Sequence, residues 1–220
     1  MIAARLKDIL FPAKCVLCGK LLDREELDLC HGCRTDAPEY PVSRQSIPFV
    51  KSWIALWRYE GNPRRSILRY KFGRARGFSE CYGRLLAMKI QREYPDGFDI
   101  VTWVPISRLR KLRRGYDQVE LLAVQVGQEL QLRPVRLLKK IRHNPPQSGI
   151  TGQAQRRANV LGAYRAEPAA LAGKKILLLD DVVTTGATVS ECARVLLSAG
   201  AKEVHCAAIA AAHHQNKSSR

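Results

Sequence analysis

The stretch Ile176-Leu177-Leu178-Leu179-Asp180-Asp181-Val182-Val183-Thr184-Thr185-Gly186-Ala187-Thr188 decides how this 220-residue chain folds. Its uninterrupted aliphatic start suits a parallel strand buried on both faces. The amphipathic segment after it, with Val189, Cys192, Ala193 and Leu196 inward, suits a helix that Gly200 closes at the C′ position. A strand that ends in two carboxylates, turns through a glycine and opens a helix puts both acids at the carboxyl edge of a sheet, where open α/β folds bind ligands. The turn aims backbone N–H groups outward, and the hydroxyls of Thr184, Thr185 and Thr188 add to them, a combination suited to a dianionic phosphate. Paired carboxylates suit vicinal ribose hydroxyls, or a magnesium ion near them. The stretch therefore reads as a site for a phosphorylated sugar. The alternative is an ordinary strand, turn and helix capped by Thr188 with Glu191 three residues on, which accounts for those two residues only.

The pattern resembles the PRPP-binding signature of type I phosphoribosyltransferases. That resemblance implies that Asp180 and Asp181 hold the ribose hydroxyls, while Thr184, Thr185, Gly186, Ala187 and Thr188 wrap the 5′-phosphate. Further landmarks are Tyr59-Glu60-Gly61, Ile67 to Gly73, Val104-Pro105 and Arg113-Arg114-Gly115-Tyr116-Asp117-Gln118. With His143-Asn144-Pro145-Pro146-Gln147-Ser148-Gly149 and Arg156-Arg157-Ala158-Asn159-Val160, they look like those of the ComF family, phosphoribosyltransferase-like proteins linked to competence and DNA uptake. Tyr116 and Asp117 stand where that family more often has Phe and Asn. By order along the chain, Pro105, Ile106, Ser107 and Arg108 correspond to the family's pyrophosphate loop. The basic, aperiodic segment from Arg142 to Asn159 corresponds to its mobile hood, a disordered insertion being the other reading. The resemblance implies PRPP with Mg2+ as ligand, and helicase or DNA-uptake proteins as partners. Purine-salvage relatives of the hypoxanthine type carry an Asp where this chain has Thr184.

Upstream, Cys15-Val16-Leu17-Cys18 and Cys30-His31-Gly32-Cys33 form two CxxC pairs, a spacing that places four thiolates on one tetrahedral Zn2+. Gly19 suits the tight turn after the first pair. Redox chemistry asks for one such motif opening a helix in a βαβ setting, and haem attachment asks for His directly after the second Cys. His31 is then a bystander. Cys81, Cys192 and Cys206 read as small core residues, and seven cysteines, four of them at metal spacing, argue against a disulfide framework.

Thirty-seven Lys and Arg against 20 Asp and Glu give a formal charge of +17, more than one small polyanionic substrate asks for, so an extended polyanion is the natural partner. Arg108, Arg110, Lys111, Arg113 and Arg114 cluster, as do Arg64, Arg65, Arg69, Lys71, Arg74 and Arg76. Tyr70, Phe72 and Tyr116 are interleaved with them. Cations that track a phosphate backbone and rings that stack bases are the ingredients of single-stranded DNA binding; solvated surface charge and core aromatics are the alternative. No stretch has the ~20 apolar residues of a membrane span and none reads as a signal peptide, so the expected location is the cytoplasm.

The expected architecture is α/β, a type I phosphoribosyltransferase fold of mostly parallel sheet flanked by helices, carrying a small N-terminal zinc module. The module and its linker occupy 1–45, Asp36 to Pro48 being proline-marked, and the phosphoribosyltransferase-like domain 46–220. Strands are expected at Trp53 to Trp57, Phe98 to Val104, Val135 to Leu138, Ala163 to Arg165 and Val204 to Ala210. Helices are expected from Pro63 to about Tyr94, broken near Gly73 and Gly77, and from Tyr116 to Leu130; the tail from His213 reads as disordered. The expected function is a PRPP-binding protein that handles incoming DNA in competence and DNA uptake; a metabolic transferase for a base or amine, and a PRPP-binding regulatory module without turnover, are the alternatives. Any catalysis would come from positioning and electrostatics around an oxocarbenium-like ribosyl centre, with no nucleophile from the protein. The acceptor is unassigned.

Overall fold

The structure, a computed structural model, describes residues 12–41, 46–73, 75–142, 158–167 and 170–212. The His143 to Gly149 landmark, Arg156-Arg157, Arg74, most of the proposed hood and the tail from His213 lie outside the described residues.

Apolar strands that need both faces covered fix the architecture. β1 (Ser52–Arg58), β2 (Ile100–Trp103), β5 (Lys175–Val183) and β6 (Glu203–Ala211) form a parallel sheet in the order β1-β6-β5-β2. The expected aliphatic run is the inner strand β5, in register with β2 from Ile176 opposite Ile100 and with β6 from Lys175 opposite Glu203. Because successive side chains alternate faces, Leu177 and Leu179 join one core with Ile67, Tyr82, Leu86 and Leu122. Ile176 and Leu178 join a second core with Cys192, Ala193, Leu196 and Val204. The first face is covered by α2 (Gly61–Phe72), α3 (Phe78–Glu93) and α5 (Gln118–Glu129); the second by α6 (Ala187–Ser198). All four residues expected to face inward from α6 are buried. Gly200, at φ +103, closes that helix.

Helices α3 and α5 cross where Gly83 faces Gln125, so closely that a Cβ on Gly83 would lie 2.3 Å from Gln125 Cβ. That contact needs a residue with no side chain.

Three local expectations shift. The strand expected at Val135 to Leu138 is β3 (Leu138–Lys140), and Tyr164–Ala166 (β4) pairs with it antiparallel in a separate two-stranded sheet instead of extending the main one. The proline-marked linker is tied to β1: Tyr40 donates its N–H to Leu56 O at 3.0 Å and Arg58 donates to Pro38 O at 2.7 Å. Finally, Arg108–Arg114 is a helix, α4, with Ser107 at its N-cap and Gly115 in the left-handed conformation at its end. None of its residues is buried, so no apolar stripe announced it.

Candidate functional site

The cysteine segment supports one wall of the sheet. The Sγ atoms of Cys15, Cys18, Cys30 and Cys33 all lie within 4.8 Å of one another, and Cys18 Sγ is 3.6 Å from Cys30 Sγ. Tetrahedral zinc–thiolate bonds of about 2.3 Å put sulfurs roughly 3.8 Å apart, so this donor set fits a zinc ion. Gly19 takes φ +81 in the turn, as expected. His31 is exposed and outside the cluster. Burial pulls the Cys15 thiol up, but N–H groups of the cluster outweigh it and bring the group down to about 7, while burial raises Cys33. Filling the site would therefore release protons. A short helix, α1 (His31–Asp36), carries Cys33. The segment shares the first core with α2 and α3: Arg69 donates to Leu17 O at 2.7 Å, and Arg84 holds buried Asp28 through contacts of 2.5 and 3.0 Å.

At the carboxyl edge of the sheet, β5 delivers Asp180 and Asp181, both buried. The pleat sends them to opposite faces. Asp181 sits on the α2/α5 side, where Lys71 Nζ lies 2.8 Å from its Oδ1 and Gln118 Nε2 donates to its Oδ2 at 2.6 Å. Asp180 sits on the α6 side, in the electrostatic field of Lys140 and Cys192, with one oxygen accepting the Asp181 N–H at 2.8 Å. Burial and the neighbouring Asp181 charge push the Asp180 carboxyl up to about 8. Burial would raise Asp181 as well, but the Lys71 ammonium and the Gln118 amide outweigh it and hold that group below the usual carboxylate range. The two adjacent acids are thus pushed in opposite directions, as expected when like charges share a desolvated site and the Lys71 ammonium makes its ion pair with Asp181.

The turn after them runs through Thr184, Thr185 and Gly186. Gly186 is left-handed at φ +74 and is the N-cap of α6, with no side-chain cap; Glu191 instead accepts the Gly162 N–H at 2.8 Å and pairs with Arg194. The Thr188–Glu191 capping box therefore does not form. Asp180, Thr184, Gly186, Ala187 and Thr188 line one small cleft.

The neighbouring strand β2 ends at Trp103 and runs through Val104 into the loop Pro105, Ile106, Ser107, Arg108. Pro105, Ile106 and Arg108 of that loop line, with Lys111, Asp117 and Arg136, a second cleft of about 230 Å³. Asp117 organises the loop, its Oδ1 accepting the N–H groups of Val119 and Glu120 at the start of α5 and its Oδ2 that of Ile106 at 3.2 Å. All three contacts are donated to the carboxylate, so Asp117 acts here as an acceptor.

The second basic cluster disperses. Arg69 serves the cysteine segment, Lys71 the acid pair, and Arg76 stacks over Tyr116, its centre 5.1 Å from the ring centroid. The cluster at Arg108, Arg110, Lys111, Arg113 and Arg114 stays together on α4. Of the three rings, Tyr70 and Tyr116 are core, and Phe72 is 66% exposed with the Arg114 guanidinium 4.8 Å from its centroid. Lys140 and Tyr164, 3.2 Å apart near Asp180, were not singled out as site residues from sequence. Neither were Lys71, in view as one cation of the second basic cluster, and Gln118, in view within the landmarks. Burial pushes Lys140 down to about 8.

A phosphoribosyl transferase domain family matches residues 119–220. Competence protein F of Haemophilus influenzae is 24% identical over 221 residues, covering 88% of this chain and 95% of its own. Competence protein ComFC of Streptococcus pneumoniae is 29% identical over 224 residues, covering 87% and 96%. The DNA utilization protein YhgH of Salmonella typhimurium is 29% identical over 201 residues, covering 86% of each. Among solved structures, the allosteric regulatory enzyme of purine biosynthesis aligns at a TM-score of 0.42 and 21% identity, over 64% of this chain. The chain spans 29% of that protein's length.

Proposed function

We propose, starting from a chain that belongs with the ComF-family phosphoribosyltransferase-like proteins, that it binds PRPP with magnesium at the carboxyl edge of the sheet and acts on incoming single-stranded DNA in the cytoplasm. One observation carries the first half. Strand β5, which carries both acids and runs on to Val183, its threonine-rich turn and the loop at the end of the adjacent parallel strand β2 open at the same edge. A ribose 5-phosphate seated at the turn would meet Asp180, and its diphosphate would extend toward residues 105–108. Arg110 and Arg114 act electrostatically on the groups around the acids, giving the diphosphate end a cationic wall. A hard cation such as Mg2+ would favour the ionised form of Asp180, whose oxygens suit it, and would supply charge to the leaving diphosphate. The chain's own part is to fix the ribose and exclude water.

The DNA half rests on α4. Five cations on a seven-residue helix with no buried side chain, beside the exposed Phe72 ring, suit a phosphate backbone and a stacked base. Support also comes from the relatives' names, competence and DNA utilization proteins.

Isothermal calorimetry with PRPP and Mg2+ tests the reading: saturable binding is expected, and none would end it. Pyrophosphate release with candidate acceptors then separates a transferase from a binding module.

A further inference from the structure

We propose that the outer face of α4 is a docking surface for an acidic amphipathic helix of a partner protein. The partner's aliphatic side chains would pack on Leu109 and Leu112, and its carboxylates would meet Arg108 and Arg113. The surface depends neither on PRPP at the cleft nor on DNA at the cations.

α4 is an inverted helix. A surface helix ordinarily turns its apolar stripe to the core and its charges to water. At about 100° per residue, α4 instead sets Arg108, Leu112, Leu109 and Arg113 in that order across about 140° of its outer face, with Arg110, Arg114 and Lys111 on the other. The exposures follow that geometry. Leu109 is 50% and Leu112 81% exposed, and Arg108 and Arg113 are exposed with them, whereas Arg110 and Arg114 are half-buried.

The inner cations hold the helix in this orientation. Arg114 donates to Gln118 Oε1 at 2.8 Å and lies over the Phe72 ring, and Lys111 pairs with Glu120 at 2.7 Å. With Ser107 capping one end and left-handed Gly115 closing the other, the two leucines are presented to water on a fixed element. Arg108 is shared with the cleft at the end of β2; Leu109, Leu112 and Arg113 do not line it.

The face selects its partner by chemistry. A phosphate backbone would use the arginines and leave both leucines in water. A lipid surface calls for a broad apolar face, and α4 has two leucines in seven residues. Aliphatic side chains three residues apart suit the apolar stripe of another helix. Arginines on either side suit carboxylates, which their planar forks take by two parallel bonds, and arginine is enriched in protein interfaces where lysine is depleted. The chain's formal charge of +17 adds long-range attraction for an acidic partner.

The test uses the full chain and fluorescence anisotropy with three labelled synthetic helical peptides. The first carries leucines along one face with glutamates on both sides of them; the second has serine for leucine, the third glutamine for glutamate. Wild type should bind the first about tenfold or more tightly than the second, the scale of withdrawing two leucines from water, and should lose the third. Leu109→Ser/Leu112→Ser should abolish the preference for the leucine peptide while leaving the unfolding midpoint and the affinity for a single-stranded oligothymidylate unchanged, because neither leucine is buried. Equal binding of the leucine and serine peptides by wild type would reduce the contact to net charge and overturn the proposal, and equal binding of the glutamine peptide would overturn the acidic partner. A double variant that loses the oligothymidylate together with the peptide would give the leucines to a nucleic-acid surface. Leucine-dependent binding to phosphatidylglycerol–phosphatidylcholine vesicles, with no preference among the peptides, would give them to a lipid surface and overturn it equally. Should the double variant fold poorly, Leu112→Ser alone, at the more exposed position, decides the question.

Discussion

Asp117 Oδ2 accepts the backbone N–H of Ile106 at 3.2 Å, so one buried carboxylate joins the loop leaving β2 to the helix that starts at the next residue, Gln118. Its other oxygen caps that helix by accepting from Val119 and Glu120. Asp117→Asn keeps one acceptor and turns the other into a donor that faces a donor. A loss of about 1.5–3 kcal/mol in unfolding free energy is expected, the scale of a hydrogen bond to a charged group. Chemical denaturation checks it.

The cysteine cluster makes a second prediction. Cys18→Ser removes one of four thiolates and should lose the metal along with folded yield, because binding free energy at such a site is folding free energy. Elemental analysis of the purified wild-type chain should find zinc at about one ion per chain, the stoichiometry of a single four-thiolate site.

Arg84→Ala should destabilise the same segment by another route. Asp28 has a side chain only 3% exposed and is held by the Arg84 fork. Truncating the arginine strands a buried anion, at a cost of about 3 kcal/mol, the lower end for breaking a buried pair because Arg84 is itself partly exposed. The measurement is again the unfolding free energy, with metal content followed in parallel.

His205 gives a pH dependence. Burial lowers its pKa below the ordinary value, with Glu203 pulling the other way; Ser52, Tyr94, Phe98, Lys175 and Lys51 surround it. The unfolded chain therefore takes up the proton at higher pH than the folded one. The contribution to stability is complete above about pH 6.5 and is lost as the pH falls from there toward the lowered folded value. His205→Gln should flatten the fall in melting temperature between about pH 7 and pH 5, relative to wild type.

For DNA, changing Arg108, Arg110 and Arg113 to Glu should flatten the plot of log affinity for single strands against log salt by roughly two units if all three contact phosphate, at about 0.7 per contact. An unchanged slope would return α4 to the role of solvated surface.

What the sequence could disclose followed the range of the interactions. β5 and α6 were legible because a run from Ile176 to Leu179 and inward positions at Val189, Cys192, Ala193 and Leu196 are local patterns set by burial on known faces. The four thiols were legible for the same reason, since CxxC spacing encodes the geometry within each pair. Lys71 was visible only as one cation in a basic cluster, because its pairing with Asp181 is decided by how α2 packs on the sheet. β3 and β4 escaped correct placement because strands of three residues choose partners by tertiary context. Helix α4 had a serine cap and a glycine stop in view at Ser107 and Gly115, yet without an inward apolar face the usual periodicity was missing.

That last element has a consequence for how the folded chain meets a protease. α4 is fastened by its capping serine, its left-handed glycine, the Arg114–Gln118 contact and the exposed Lys111–Glu120 pair at 2.7 Å, with Leu112 81% exposed. Nothing in it is buried, so opening it exposes little and costs far less than global unfolding. Trypsin, which cuts after lysine and arginine, is offered five such bonds there in a segment that can unwind while the sheet stays intact. Bound polyanion would occupy the same five side chains, so protection of this segment from nicking would report on the occupancy of the surface without any label.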